Sequence, residues 1–203
     1  MPAQDANADQ APTHGPALHA PWRLQYLEAL GEEDAASENK PERAGESSGS
    51  FLLDYWRTPE HDHANNVIHR DDHGMILLNG YPYANGHLLV ALGEARPTLL
   101  DYKPAQRRAL WQLVDLATDL AQHALEPQGL NIGINQGRAA GAGVPQHLHV
   151  HLVPRWGGDT NFITSVARIR IIPAALEAMA DRYRSVLRAV LESHVSSHEP
   201  RPH

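Results

Sequence analysis

Residues 146–154 read Gln146-His147-Leu148-His149-Val150-His151-Leu152-Val153-Pro154. Alternation of imidazole and aliphatic side chains is the period of a β-strand, whose successive residues face opposite ways. This puts His147, His149 and His151 on one face, about 6–7 Å from one to the next. Leu148, Val150 and Leu152 take the other face and point into a core. Three imidazoles in a row serve a merely structural strand face poorly. The stretch predicts a strand with an apolar back and a chemical front.

Two chemistries use such a row. Neutral imidazole is a common zinc or copper ligand, and alternate strand residues can converge on a metal. Alternatively, one imidazole nitrogen attacks an electrophile while its neighbours donate hydrogen bonds. A hydrolytic metal site usually adds a carboxylate, and no Asp or Glu lies between Asn131 and Arg155. What precedes the histidines is Gln136-Gly137-Arg138-Ala139-Ala140-Gly141-Ala142-Gly143. A glycine-rich loop can aim backbone N–H groups at an anion, and Arg138 adds charge. Directly upstream of the histidines, that loop favours phosphate chemistry over metal chemistry.

Outward from this stretch, Val67-Ile68-His69, Met75-Ile76-Leu77-Leu78, Leu88-Leu89-Val90-Ala91 and Leu130 to Asn135 read as further strands. Turn-forming compositions, Asp71 to Gly74 and Asn79 to Gly86, separate the first three. Pro104 opens a helix with apolar residues at Leu110, Leu113, Val114, Ala117, Leu120, Ala121 and Ala124, and Pro127 with Gly129 closes it. Pro173 begins a second helix with Leu176, Met179, Ala180, Tyr183, Leu187, Val190 and Leu191 on one side. Hairpin strands, helix, two strands and helix make an α+β fold on an antiparallel sheet.

The flanks differ in texture. Residues 1–18 and 33–50 are rich in Ala, Pro, Glu, Ser and Gly and carry almost no large apolar side chains, so they are expected to be disordered. Between them Pro21-Trp22-Arg23-Leu24-Gln25-Tyr26-Leu27 reads as an arm that docks on the domain or on a partner subunit, or else as a frayed helix. The expected organisation is a tail over 1–18, the arm and an acidic linker over 19–50, one domain over 51–192 and a tail over 193–203.

The whole chain has 203 residues, a formal net charge of −7 and no cysteine. Without cysteine there is no disulfide scaffold, thiolate zinc site or cysteine nucleophile. Residues 1–50 hold nine acids against three bases, so the rest is near neutral. No basic face is present to track a nucleic-acid backbone. No apolar run is long enough to span a membrane, and no signal peptide is visible, so the expectation is a cytoplasmic protein.

The triad stretch resembles the signature of the histidine-triad (HIT) superfamily of nucleotide hydrolases and transferases, His-φ-His-φ-His-φ-φ. Asn79-Gly80-Tyr81-Pro82-Tyr83-Ala84-Asn85-Gly86-His87 is similar to the family's upstream segment, and Asn131 to Gly137 to its phosphate-side strand. Pro154 to Phe162 and Ala20-Pro21-Trp22-Arg23 resemble segments of its bacterial diadenosine tetraphosphate phosphorylase branch. The resemblance implies a HIT-like fold, a five-stranded antiparallel sheet with a long helix packed on it and a C-terminal helix. It implies that His149 Nε2 attacks the α-phosphorus to form a nucleotidyl-histidine. His147 and His151 would then hydrogen-bond phosphoryl and bridging oxygens, and His87 would support the triad. Asn79, Asn135, Gln136, Gly141, Gly143 and Trp156 would contact the substrate. A homodimer is implied as well.

Departures from the pattern shape the expectations. Ser50 and Leu53 stand where many bacterial relatives carry a Cys-x-x-Cys zinc pair, and Gly93-Glu94-Ala95-Arg96 lacks a third ligand. No structural zinc is expected and no cofactor is required, while Mg2+ can assist by complexing the substrate's phosphates. Gly143 replaces a hydroxyl residue of the phosphorylase branch. The leading expectation is cleavage of diadenosine tetraphosphate by inorganic phosphate into ADP and ATP. The alternative is hydrolysis of dinucleoside polyphosphates or nucleoside phosphoramidates, with water as acceptor. A nucleotide-binding module with vestigial chemistry and a metal-dependent hydrolase are the readings from other classes.

Overall fold

The computed structural model describes residues 48–159 and 174–197. The expectations for residues 1–18, the arm, residues 33–47 and residues 160–162 lie outside the described residues, whereas residues 48–50, expected to be disordered, lead into a helix with Ser50 buried as its N-cap. Five strands form one antiparallel sheet: β1 (Val67–Arg70), β2 (Gly74–Leu78), β3 (Leu88–Leu92), β4 (Gly129–Ile134) and β5 (His149–Arg155). Their order in space is β1-β2-β3-β5-β4, which puts the histidine strand between β3 and the edge strand β4. Among the described residues three α-helices accompany the sheet: α1 (Phe51–Arg57), α2 (Pro104–Leu125) and α3 (Leu176–Ser197). The α+β class and the sheet match the expectation.

The long helix forms where periodicity places it. Pro104 occupies its first turn, and the Gln106 side chain accepts from the Lys103 N–H at 2.9 Å. Glu126, in a left-handed conformation, ends it directly before Pro127. Leu110, Leu113, Val114, Ala117, Leu120 and Ala121 then bury the helix on one face of the sheet, against Ile76, Leu88, Val90, Val150 and Leu152. Such aliphatic burial stabilises by about 1.5–3 kcal/mol per side chain.

The second long helix, α3, packs on the same cluster through Met179, Ala180, Tyr183 and Val190. The buried Tyr183 hydroxyl donates to the Gly86 carbonyl at 2.7 Å. Gly86 itself has φ +75°, and a Cβ there would lie 2.3 Å from Leu125 Cδ1. Only glycine fits, and His87 enters β3 from this fixed point. The helix also runs to Ser197, into the segment 193–203 expected to be a tail. Its last turns are tied down, because His194 Nδ1 lies 2.8 Å from the Asp119 carboxylate of α2.

The opposite face of the sheet carries a smaller apolar cluster of Leu52, Val67, Met75, Leu77, Leu89 and Ala91, with Tyr55 and Trp56 over it. Its cover is the seven-residue α1, an element the sequence reading does not contain. Arg70 clamps the C-terminal end of α1. Its guanidinium donates to the Tyr55 and Trp56 carbonyls at 2.9 Å, pairs with Asp62 and sits 4.7 Å from the centre of the Trp56 ring. The Trp56 ring lies against Gly93, where a Cβ would collide with it. Among the described residues no helix is long and apolar enough to cross a membrane.

Candidate active site

Strand β5 delivers His149 and His151 to the α1 side of the sheet, opposite Ala91 and Leu89 of β3. Leu148, Val150 and Leu152 face α2, as the alternation requires. The strand starts at His149, two residues later than the alternation suggests. His147 lies in the turn before it, its N–H donating to the Val144 carbonyl at 3.1 Å.

The proton positions in this cluster follow from its neighbours. His149 Nδ1 is 2.9 Å from the His147 carbonyl. A carbonyl only accepts, so Nδ1 carries the hydrogen and Nε2 holds a bare lone pair. His87 Nδ1 receives the Tyr83 N–H at 3.1 Å and the Asn79 amide at 3.2 Å. It is therefore the unprotonated nitrogen of His87, and Nε2–H donates to His151 Nδ1 at 3.0 Å. His151 in turn keeps its hydrogen on Nε2, with the Asn135 side-chain nitrogen Nδ2 3.4 Å away. The outcome is one nucleophilic nitrogen beside one N–H donor, their rings 4.9 Å apart edge to face. Tyr83 stacks on His151 with ring centres 5.6 Å apart.

Burial keeps these imidazoles neutral. It is the largest cause of the lowered pKa of His149, against which the bond to the His147 carbonyl acts. His151 is pushed down to about 4, by burial first and by the nearby His149 second. The His147 pKa is lowered by burial as well, with the Leu92 carbonyl opposing.

His147 requires a correction. The sequence reading gives it to phosphoryl oxygens, but both of its ring nitrogens are occupied within the protein. Nε2 donates to the Leu92 carbonyl at 2.7 Å, and Nδ1 lies 3.0 Å from the Ser50 hydroxyl. It is wholly buried, and its backbone carbonyl is what holds His149 Nδ1. Gln136 is also turned aside, its Oε1 accepting from the Leu99 N–H at 2.9 Å. Asn79, Asn135, His87, His149 and His151 come together. Gly141, Gly143 and Trp156 sit on the loops before and after β5, with Gly141 in a left-handed conformation. The sequence reading missed Ser50 and Tyr83 as members of the cluster. Ser50 stands directly before Phe51-Leu52-Leu53, a helix-cap position that could have drawn attention to it.

This sheet, bearing two outward histidines of an alternating triad, is that of a histidine-triad protein, and residues 60–158 match the HIT domain. The chain belongs to the HIT family and is an enzyme of that family. It is 34% identical over 160 residues to the "AP-4-A phosphorylase" of Mycobacterium tuberculosis, covering 78% of this chain and 77% of that one. A "Bis(5'-nucleosyl)-tetraphosphatase [asymmetrical]" of Schizosaccharomyces pombe is 33% identical over 93 residues, 46% of this chain and 50% of that one. Among solved structures, a zinc-bound histidine triad family protein from Mycobacterium smegmatis superposes with a TM-score of 0.56 at 26% identity. That match covers 68% of this chain and 95% of that one.

Proposed function

We propose that the chain is a dinucleoside polyphosphate phosphorylase, which transfers a nucleotidyl group from diadenosine tetraphosphate to inorganic phosphate and releases ADP and ATP. The observation that carries the reading is the tautomer of His149, whose bare Nε2 faces away from the carbonyl that holds Nδ1. That nitrogen attacks the α-phosphorus, the bond to the bridging oxygen breaks, and ATP departs. The departing oxygen belongs to a polyphosphate and is stable as an anion, so it needs a hydrogen bond rather than a proton. The neutral His151 offers one from Nε2–H. Phosphate oxygen then attacks the nucleotidyl-histidine, forms ADP and restores His149.

For phosphate to outcompete water it must be held beside the intermediate in near-attack geometry. Asn135 and the N–H groups of Gly141 to Gly143 are the donors we assign, with Asn79 toward the ribose and Trp156 shielding the pocket. Support for this acceptor comes from the mycobacterial AP-4-A phosphorylase, alike over most of both chains. Hydrolysis, with water attacking the same intermediate, is the second reading, and the fission-yeast tetraphosphatase supports it over a shorter stretch.

We assign no structural zinc. At the place the sequence pattern points to, Ser50 and His147 are hydrogen-bonded to each other, and a hydroxyl with a single imidazole is a poor zinc donor set. Mg2+ enters as the substrate's phosphate complex. A second copy of the chain is the proposed partner, and the cytoplasm, which supplies nucleotides and phosphate, the proposed location.

Purified protein is to be given diadenosine tetraphosphate with and without phosphate and chelator. ADP with ATP, at a rate rising with phosphate and indifferent to a zinc chelator, supports the reading. AMP with ATP at a phosphate-independent rate assigns water as the acceptor.

A further inference from the structure

Ser50 is polar and 1% exposed, and its hydroxyl has two neighbours. It accepts from the Leu53 N–H at 3.3 Å, which caps the first turn of α1. It also lies 3.0 Å from Nδ1 of His147, 97 residues further along the chain. The other nitrogen of His147 donates to the Leu92 carbonyl, so Nδ1 carries no hydrogen. The hydroxyl hydrogen of Ser50 therefore goes to Nδ1. One hydroxyl accepts from the helix and donates to the ring, so the Leu92 carbonyl sets the tautomer and Ser50 gives the ring its second anchor.

The consequence reaches His149. The carbonyl that holds His149 Nδ1 belongs to His147, which sits in a turn and outside the strand ladder. The N–H of the same peptide, that of Leu148, donates to the Arg96 carbonyl at 2.8 Å, and the His147 side chain is the second anchor of this turn. The His147 ring is anchored at both nitrogens, one against β3 and one against the head of α1. We infer that Ser50 is a positioning residue of the nucleotidyl-transfer site, acting through His147 to keep His149 in the tautomer with its Nε2 lone pair free. The kinetic side of this inference rests on the proposed role of His149; its structural side does not.

The test compares wild type, Ser50→Ala, Ser50→Thr and Ser50→Asn by long-range 1H–15N spectra of the imidazoles, thermal melts and steady-state kinetics. The substrates are diadenosine tetraphosphate and phosphate. In the wild type, His147 is expected to be protonated at Nε2 alone and His149 at Nδ1 alone. In Ser50→Ala, the His147 Nδ1 signal shifts as it loses its donor, the His149 imidazole signals move with it, and kcat falls about tenfold while KM stays within about twofold. Thr and Asn both cap a helix and donate a hydrogen bond, and at least one of them restores spectrum and kcat. The inference is overturned if Ser50→Ala keeps the wild-type spectrum and kcat, or if kcat merely tracks the unfolded fraction with the His147 signals unmoved. It is overturned equally if neither Thr nor Asn restores them. Should the wild type cleave no dinucleoside polyphosphate, the functional reading fails and the imidazole spectra alone decide the role of Ser50.

Discussion

On the side of α2 and α3, the sheet presents Ile76, Leu88, Val90, Val150 and Leu152, all buried in one large apolar cluster. On the side of α1, a smaller cluster gives way to His149 and His151. The described residues include four buried polar side chains, Ser50, His87, His147 and His149, and all four belong to the histidine network on that second side. Among the described residues no buried side-chain nitrogen or oxygen lacks a partner. One face is held by interchangeable dispersion contacts. The other is held by hydrogen bonds whose direction matters, and each direction sets a proton. Damage to the first face should cost stability, and damage to the second should cost chemistry.

The sharpest way to break this contrast is His149→Ala. It is expected to lower kcat by at least about a thousandfold while the chain stays folded, since a nucleophile has no substitute. A variant with near-normal kcat would remove His149 from the mechanism. Leu152→Ala, on the same strand but the opposite face, is expected to lower unfolding free energy by about 2–5 kcal/mol. Its kcat per folded molecule should match the wild type, and urea titration combined with active-site counting checks both.

Acidification probes the polar face through its imidazoles, with His69 of β1, lowered by burial as well, adding to the loss. The pKa values of His147, His149 and His151 are all lowered by burial, that of His151 to about 4 against an ordinary 6.5. Between those values the unfolded chain binds more protons, so stability is complete above about pH 6.5 and falls as the pH drops toward 4. The loss from His151 is on the order of 2 kcal/mol, discounted for its partial exposure. Urea midpoints measured from pH 8 to pH 4.5 should be flat and then decline, with a shallower decline in His151→Phe. The smallest effect is expected for Gln136→Ala. With its side chain on the Leu99 N–H, KM should change by less than about threefold. A larger rise would return Gln136 to the substrate site.

The contrast between the faces also explains what could be read from the sequence. The apolar face repeats: Leu110, Leu113, Val114 and Ala117 at helical spacing, and Leu148, Val150 and Leu152 at strand spacing, report their own geometry. His149, His151 and His87 were legible because they belong to motifs with fixed spacing. The helix α1 is only two turns long and buries one residue fully, Leu52, which is too little for a period to show. His147 continues the alternation in sequence, yet the chain turns at Val144 to His147, and alternation cannot report a bond to Ser50, 97 residues away. The end of α3 is not legible in the sequence, because His194 gains its anchor on Asp119 only when two distant helices pack.

The central claim is that Nε2 of His149 carries the nucleotidyl group between donor and acceptor. Rapid quenching of the enzyme with labelled diadenosine tetraphosphate in the absence of phosphate, followed by peptide mass spectrometry, tests it directly. The account predicts an adenylyl group on the peptide bearing His149, absent from His149→Ala and chased into ADP when phosphate is added. Turnover by the same enzyme with no adduct at any time point, or an adduct on a different residue, would contradict it.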